Sequence, residues 1–171
     1  MGKLYLMMGL PGAGKSTLLK EHFKNNPDNV IVSRDEIRFS LVKENEDYFS
    51  HEDEVIKTFF EKIHTALKMG KDVYADQTSL TVASRKKFLN NIDKSLAEEI
   101  NLIFIDTPYS ECIINNDKRN GTRAFVPKGV IRRMHSQMEK PNTNEGFNYI
   151  FIYDIFNKTF GIVKGATING I

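Results

Sequence analysis

The sequence predicts an α/β fold, a five-stranded, mostly parallel sheet with helices on both faces. Three observations carry that prediction. Short apolar segments alternate with helical patterns along the 171 residues. The apolar segments are nearly continuous rather than alternating, as in strands buried on both faces. A glycine-rich turn joins the first strand to the first helix.

Taken in order, the strands are expected at Leu4 to Met8, Asn29 to Val32, Asp72 to Ala75, Leu102 to Ile105 and Tyr149 to Tyr153. A helix from about Lys15 presents Leu18, Leu19 and Phe23, and another is expected to begin after Ser33. Val55, Ile56, Phe59, Phe60, Ile63 and Leu67 keep the 3.6-residue period until Gly70 stops it. Val82, Phe88, Leu89, Ile92 and Leu96 outline a further helix, as do Val130, Ile131, Met134 and Met138. The tail from Thr159 to Ile171 reads as an edge strand over 159–164 with a frayed end after Gly165. No repeat or linker interrupts the pattern, so a single domain over residues 1–171 is expected. Such sheets have right-handed crossovers and gather their sites beyond the carboxyl ends of the strands.

Composition narrows the function classes. Lys and Arg number 24 against 22 Asp and Glu, and a net charge of +2 gives no argument for polyanion binding by the whole surface. The apolar share of 40% is ordinary, and a chain this long buries roughly 70% of its unfolded surface. Cys112 is the only cysteine, which excludes an internal disulfide framework and a cysteine zinc site and fits a free thiol in a reducing compartment. No apolar run reaches the ~18 residues of a membrane helix, and the N-terminus lacks a signal-peptide pattern. Leu6 stands where a myristoylation signal needs Ser or Thr. A cytoplasmic protein without a membrane partner is expected. His22, His51, His64 and His135 lack metal-ligand spacing, and Met7 and Met8 read as core.

Charge is unevenly spread. Residues 43–54 carry six acids against Lys43, a local −5, and read as a solvated face. Residues 117–140 carry seven bases against Asp117 and Glu139, a local +5.

Gly9-Leu-Pro-Gly-Ala-Gly-Lys-Ser-Thr17 satisfies G-x-x-x-x-G-K-[ST], a loop whose backbone N–H groups surround nucleotide phosphates. Gly12, Ala13 and Gly14 let the backbone approach the oxygens, and Lys15 supplies a compact cation to the β and γ phosphates. Ser16 offers its hydroxyl to Mg²⁺, and Thr17 lies in the first turn of a helix whose positive end faces the anion.

Ser33-Arg-Asp-Glu-Ile-Arg38 follows the second strand, so Asp35 and Arg38 share a helix face at the sheet's carboxyl edge. A carboxylate there can take the proton of an attacking hydroxyl while the guanidinium grips a phosphate. Ser33-x-x-Glu36 is equally a capping box, with Asp35 as a favourable first-turn acid. Asp76 ends the third strand and adds a second carboxylate, able to orient Arg38, to bind Mg²⁺ through water, or only to end a strand. Asp106 starts a turn. Tyr109, Phe125 and Phe147 offer rings for stacking a base or for packing.

Together, Gly9 to Thr17, Arg34-Asp35-x-x-Arg38, Asp76-x-Thr, and Arg119 ahead of Val126-Pro127 resemble the phage and bacterial polynucleotide 5′-kinase family of phosphate-loop kinases, over residues 4 to about 154. The resemblance implies a phosphate-loop kinase fold with an arginine-bearing helical lid at about 112–140. It implies that Lys15 and Ser16 bind ATP and Mg²⁺, that Asp35 activates the acceptor 5′-hydroxyl, and that Arg38 holds the acceptor's 3′-phosphate. By the same resemblance Asp76 supports Arg38, and Arg119 is the lid arginine on the transferring phosphate. The pattern departs from the family at Asn115, where an arginine is usual, and at Ser79, where an asparagine is usual. The Arg119 to Val126 spacing is about two residues long, so Arg123 can share or take the lid role. Glu145-Gly-Phe147 recurs among related small kinases. No D-x-D-G-T segment occurs, so the fused 3′-phosphatase of some relatives is not expected. The implied partners are ATP, Mg²⁺ and a DNA or RNA 5′-hydroxyl, in the cytoplasm of a bacterial or phage-infected cell. A kinase for a sugar or nucleoside alcohol, or a nucleotide-driven switch, is the rival reading.

Overall fold

The computed structural model describes residues 1–164; the expected frayed end after Gly165 lies outside them. Strands β1 (Gly2–Met8), β2 (Asn29–Ser33), β3 (Asp72–Asp76), β4 (Ala97–Ile105), β5 (Tyr149–Asp154) and β6 (Thr159–Lys164) form one sheet in the order β2-β3-β1-β4-β5-β6. The first five are parallel, and β6 pairs antiparallel with β5. The sheet therefore has six strands rather than five, the sixth being the edge strand expected over 159–164.

Pleating explains why the central strands are apolar throughout. On β1, Leu4, Leu6 and Met8 face one core, and Met7 faces the other. Helix α3 (Glu52–Lys68) and helix α4 (Val82–Asn90) cover the first face with Val55, Phe59, Ile63, Phe88 and Leu89. The second face is covered by Leu18 and Leu19 of the helix after the glycine-rich turn, and by Cys112 of α5 (Tyr109–Asp117). Met134 of α6 (Lys128–Gln137) packs beside them.

Three helices differ from the sequence expectation. Helix α1 (Lys15–Leu18) passes at once into a π-helical turn over Leu19–Phe23. Helix α4 stops at Asn90, and its continuing apolar period is carried by a turn at Ile92 and a 3₁₀ turn at Lys94–Leu96. Helix α5 has only Cys112 and Asn116 buried, too weak an apolar stripe to be read in advance. Among the described residues no helix is long and apolar enough to cross a membrane.

β2 and β4 lie on opposite sides of β1, so the chain's crossovers diverge at the carboxyl end of β1. That crevice receives the turn after β1, the start of α2 (Arg34–Leu41) after β2, and Asp76 at the end of β3.

Candidate active site

The turn after β1 is held from three sides. Gly9 N–H donates to the Thr78 carbonyl at 3.1 Å, Thr107 Oγ1 donates to the Ala13 carbonyl at 2.7 Å, and Asn115 Nδ2 donates to the Gly12 carbonyl at 3.1 Å. Gly12 has φ +81°, and a Cβ there would collide with the Cys112 carbonyl. Gly14 caps α1 with φ +104°. Asn115 thus anchors the loop where the family pattern has an arginine. Lys15 Nζ donates to the carbonyls of Gly9 at 2.7 Å and Leu10 at 3.1 Å. Burial lowers its pKa; the Asp76 and Asp35 carboxylates oppose that shift, and the Arg119 charge adds to it. Ser16 and Thr17 are exposed at the helix start, and the Ser16 hydroxyl has no hydrogen-bond partner among the described residues. A free hydroxyl beside a phosphate loop fits a hard, oxygen-seeking cation.

At α2 the structural and chemical readings of Asp35 separate. Ser33 Oγ accepts from Glu36 N–H at 3.4 Å and supplies the cap, while Asp35 points its carboxylate elsewhere, with its side chain 65% exposed. Asp35 Oδ1 accepts from Arg38 Nη1 at 2.9 Å and from the Tyr48 hydroxyl at 3.0 Å. Arg38 itself is 4% exposed; its Nη2 donates to Glu52 Oε2 at 2.6 Å, and its Nη1 donates to the Tyr48 hydroxyl at 3.0 Å. The same guanidinium lies 4.5 Å from the Tyr48 ring centre. The other Glu52 oxygen pairs with Arg34, which also donates to Gln77 at 3.4 Å.

Among the described residues the hydrogen bonds of Arg38 go to Asp35, Tyr48 and Glu52 rather than to Asp76. Asp76 instead sits in the field of Lys15. Burial pushes its carboxyl above the usual range, Lys15 works against this, and Asp35 and Glu36 add to it. Glu52 and Tyr48 come from the acidic segment read as a solvated face, and they are the site residues that sequence reasoning missed. Burial disfavours the Glu52 charge, yet hydrogen bonds and charge from Arg38 and Arg34 outweigh it and hold the carboxyl below its ordinary value.

The two arginines expected in a lid are placed differently. Arg119 lies in the turn after α5, with its charge reaching Lys15. Arg123 is engaged at the C-terminus of α2, donating to the carbonyls of Phe39 at 3.1 Å and Val42 at 2.7 Å with its guanidinium over the Phe39 ring. These contacts tie the segment after α5 to the C-terminus of α2.

Glu145 and Phe147 have a packing role. Phe147 is core, and Glu145 forms a two-pronged pair with the fully buried Arg85 at 2.6 and 2.9 Å. Arg85 also donates to the Ser79 carbonyl at 3.0 Å, fixing the turn after β3 where Ser79 has φ +50°. Tyr109 packs on His135 across α5 and α6. Cys112 is buried, which pushes its thiol up to about 11, so it is a poor nucleophile.

A cavity of about 110 Å³ opens beside Arg34 and Gln77, with Phe60, Ser84, Lys87 and Phe88 in its walls. Its phenylalanines belong to the core, and Arg34 and Lys87 are the basic groups in its lining.

Comparison with known proteins agrees with this fold. Residues 4–141 match the family described as AAA domain. A chain of the Pnkp1/Rnl/Hen1 RNA repair complex superposes with a TM-score of 0.70 at 26% identity, over 80% of this chain and 43% of that one. This chain thus spans less than half the length of that relative. A sugar kinase from Janibacter sp. HTCC2649 matches with a TM-score of 0.63 at 13% identity, over 90% and 86% of the two chains. A fungal RNA kinase matches at 0.59 and 11% identity, over 90% and 75%. The chain belongs to the AAA domain family, and its glycine-rich loop and parallel sheet have the fold of the phosphate-loop kinases.

Proposed function

We propose that the protein is an ATP-dependent kinase that phosphorylates the 5′-hydroxyl of a polynucleotide. The observation that carries this reading is the meeting of the exposed Asp35 carboxylate with Arg38 at the sheet edge that also holds Lys15. A nucleotide-driven switch needs no such carboxylate beside a phosphate-gripping guanidinium. The likeness to a chain of an RNA repair complex supports a nucleic-acid acceptor.

In the mechanism, Asp35 takes the proton of the acceptor hydroxyl as its oxygen bonds to the γ-phosphorus and the bond to the β-phosphate oxygen breaks, releasing ADP. Arg38 positions the acceptor by its phosphate. Lys15 neutralises charge moving onto the leaving group, and Arg119 neutralises the equatorial oxygens. Ser16 would hold Mg²⁺, which when bound screens the β and γ phosphate charges.

The test is a panel of 5′-hydroxyl oligonucleotides, sugars and nucleosides incubated with γ-labelled ATP, run beside Asp35→Asn. Transfer to oligonucleotides is expected to fall about 10²- to 10⁴-fold in the variant while ATP affinity survives. A rate within about threefold of wild type, some 0.65 kcal/mol, would remove Asp35 from the mechanism. Preferential labelling of a small alcohol supports the second reading, a small-molecule kinase, favoured by the sugar kinase that matches over 86% of its own length. Label released to water without any acceptor supports the switch.

A further inference from the structure

The segment from Tyr48 to Glu52 presents two groups to the proposed acceptor machinery, and both have the chemistry of an acceptor. The Tyr48 hydroxyl donates to Asp35 Oδ1 at 3.0 Å and receives Arg38 Nη1 at 3.0 Å. An alcohol about to be deprotonated by Asp35 needs the same donation. Glu52 places one carboxylate oxygen on Arg38 at 2.6 Å and the other on Arg34, the two-oxygen bridge that a phosphate makes between guanidiniums.

We infer that Tyr48 and Glu52 are an internal stand-in for the acceptor, competing with it for Asp35, Arg38 and Arg34 and thereby setting acceptor affinity. This rests on the proposed role of Asp35 and Arg38. The incoming acceptor takes over both sets of contacts, its hydroxyl replacing the Tyr48 hydroxyl and its phosphate replacing the Glu52 carboxylate.

The segment is built to yield. Residues 43–50 are exposed throughout, with Tyr48 at 42% and Phe49 at 63%. Short local bonds hold the backbone, such as Phe49 N–H to Asp47 Oδ1 at 2.9 Å and Ser50 N–H to the Asp47 carbonyl at 3.0 Å. Few buried contacts resist displacement, so local opening is inexpensive. Glu52 is the first residue of α3, and its carboxylate can swing away while the helix stays packed through Val55 and Phe59.

The experiment compares wild type, Tyr48→Phe and Glu52→Gln. Tyr48→Phe keeps the ring over Arg38 and removes only the competing hydroxyl, so the KM for a 5′-hydroxyl oligonucleotide is expected to fall three- to tenfold with the KM for ATP unchanged. If the pair merely braced Arg38, the acceptor KM would stay the same or rise, and the inference is overturned. A second readout does not depend on the acceptor's identity. With ADP saturating the phosphate loop, inorganic phosphate is expected to bind Glu52→Gln at least tenfold more tightly than wild type by calorimetry; equal or weaker binding overturns the inference. If wild type transfers nothing to oligonucleotides, the proposed function fails, and the phosphate titration still decides whether Glu52 guards the arginine pair.

Discussion

Replacing Glu145 by alanine should destabilise the whole fold, and the structure sets the scale. Arg85 is fully buried, and its charge is met by Glu145 through two hydrogen bonds, 2.6 Å from Nε and 2.9 Å from Nη2. Glu145 Oε1 also accepts from the Asn142 N–H at 2.9 Å and from Asn142 Nδ2 at 3.1 Å. Removing the carboxylate leaves a buried, uncompensated guanidinium, which costs about 3–5 kcal/mol. Against a total stability of about 5–15 kcal/mol, that is a large fraction. For a chain of this size each 1 kcal/mol moves Tm by about 2–4 °C, so scanning calorimetry should show a fall of about 6–20 °C. Arg85→Met combined with Glu145→Leu should recover most of the loss, because a buried pair exchanged for apolar side chains of similar volume is often neutral. Recovery stays incomplete by about 1 kcal/mol, since the Asn142 donors lose their acceptor. A Tm within about 3 °C of wild type for Glu145→Ala, or additive effects in the double variant, would refute the reasoning.

The lid arginines should part company. Arg119→Ala is expected to lower kcat more than ATP affinity, because its contact forms mainly in the transition state, and an effect on ATP Kd alone would make it a ground-state ligand. Arg123→Ala is expected to cost about 1 kcal/mol in denaturant unfolding by freeing the Phe39 and Val42 carbonyls, with kcat close to wild type; a hundredfold loss of kcat in a folded protein would return Arg123 to the phosphate. For Asp76 the sign follows from a folded pKa raised above the unfolded value. The stabilising difference is complete below the unfolded pKa near 3.8 and is lost as pH rises through the folded value, so the ionised carboxylate weakens the fold at neutral pH. Asp76→Asn should therefore melt higher than wild type at pH 7, with the gap closing on acidification, and a lower Tm at pH 7 contradicts the assignment.

How much of this was legible in the sequence depended on the range of the interaction. Apolar runs announced β1 to β5 because burial is a local property of composition; β6 is an exposed edge strand and was legible only from the short apolar pattern after Thr159. The phosphate loop was legible because its backbone shape demands Gly12 and Gly14 at fixed offsets. Glu52 was not. It meets Arg34 and Arg38 only through the path of the turns between α2 and α3, and a run of six acids reads as a solvated face whichever of them turns inward. Helix α5 was hidden by its polar residues, although Asn116 is buried for a specific reason, holding the Val126 carbonyl at 2.7 Å and accepting from its N–H at 3.0 Å. Ser79 marked a departure from the family pattern without revealing why asparagine is usual there. The position takes φ +50°, which asparagine tolerates better than serine.

The charges at the sheet edge form a balanced set, and the balance bears on how transfer is controlled. Lys15, Arg34, Arg38 and Arg119 face Asp35, Glu36, Asp76 and Glu52, four cations against four carboxylates. Three strand ends contribute: the turn after β1 brings Lys15, the helix after β2 brings both signs in Arg34, Asp35 and Arg38, and β3 brings Asp76. Lys15 and Asp76 are each pushed by burial toward their neutral forms, so neither charge is well solvated where it sits. A polyphosphate arriving at the loop would relieve Lys15 by giving the ammonium anionic oxygens in place of the Gly9 and Leu10 carbonyls. Withdrawal of Glu52 would then leave four cations against three carboxylates, strengthening the positive field around the transferring group at the step when an acceptor is present. Under the proposed function, with Glu52 withdrawn, the strongest positive field would coincide with acceptor binding, which would disfavour transfer to water.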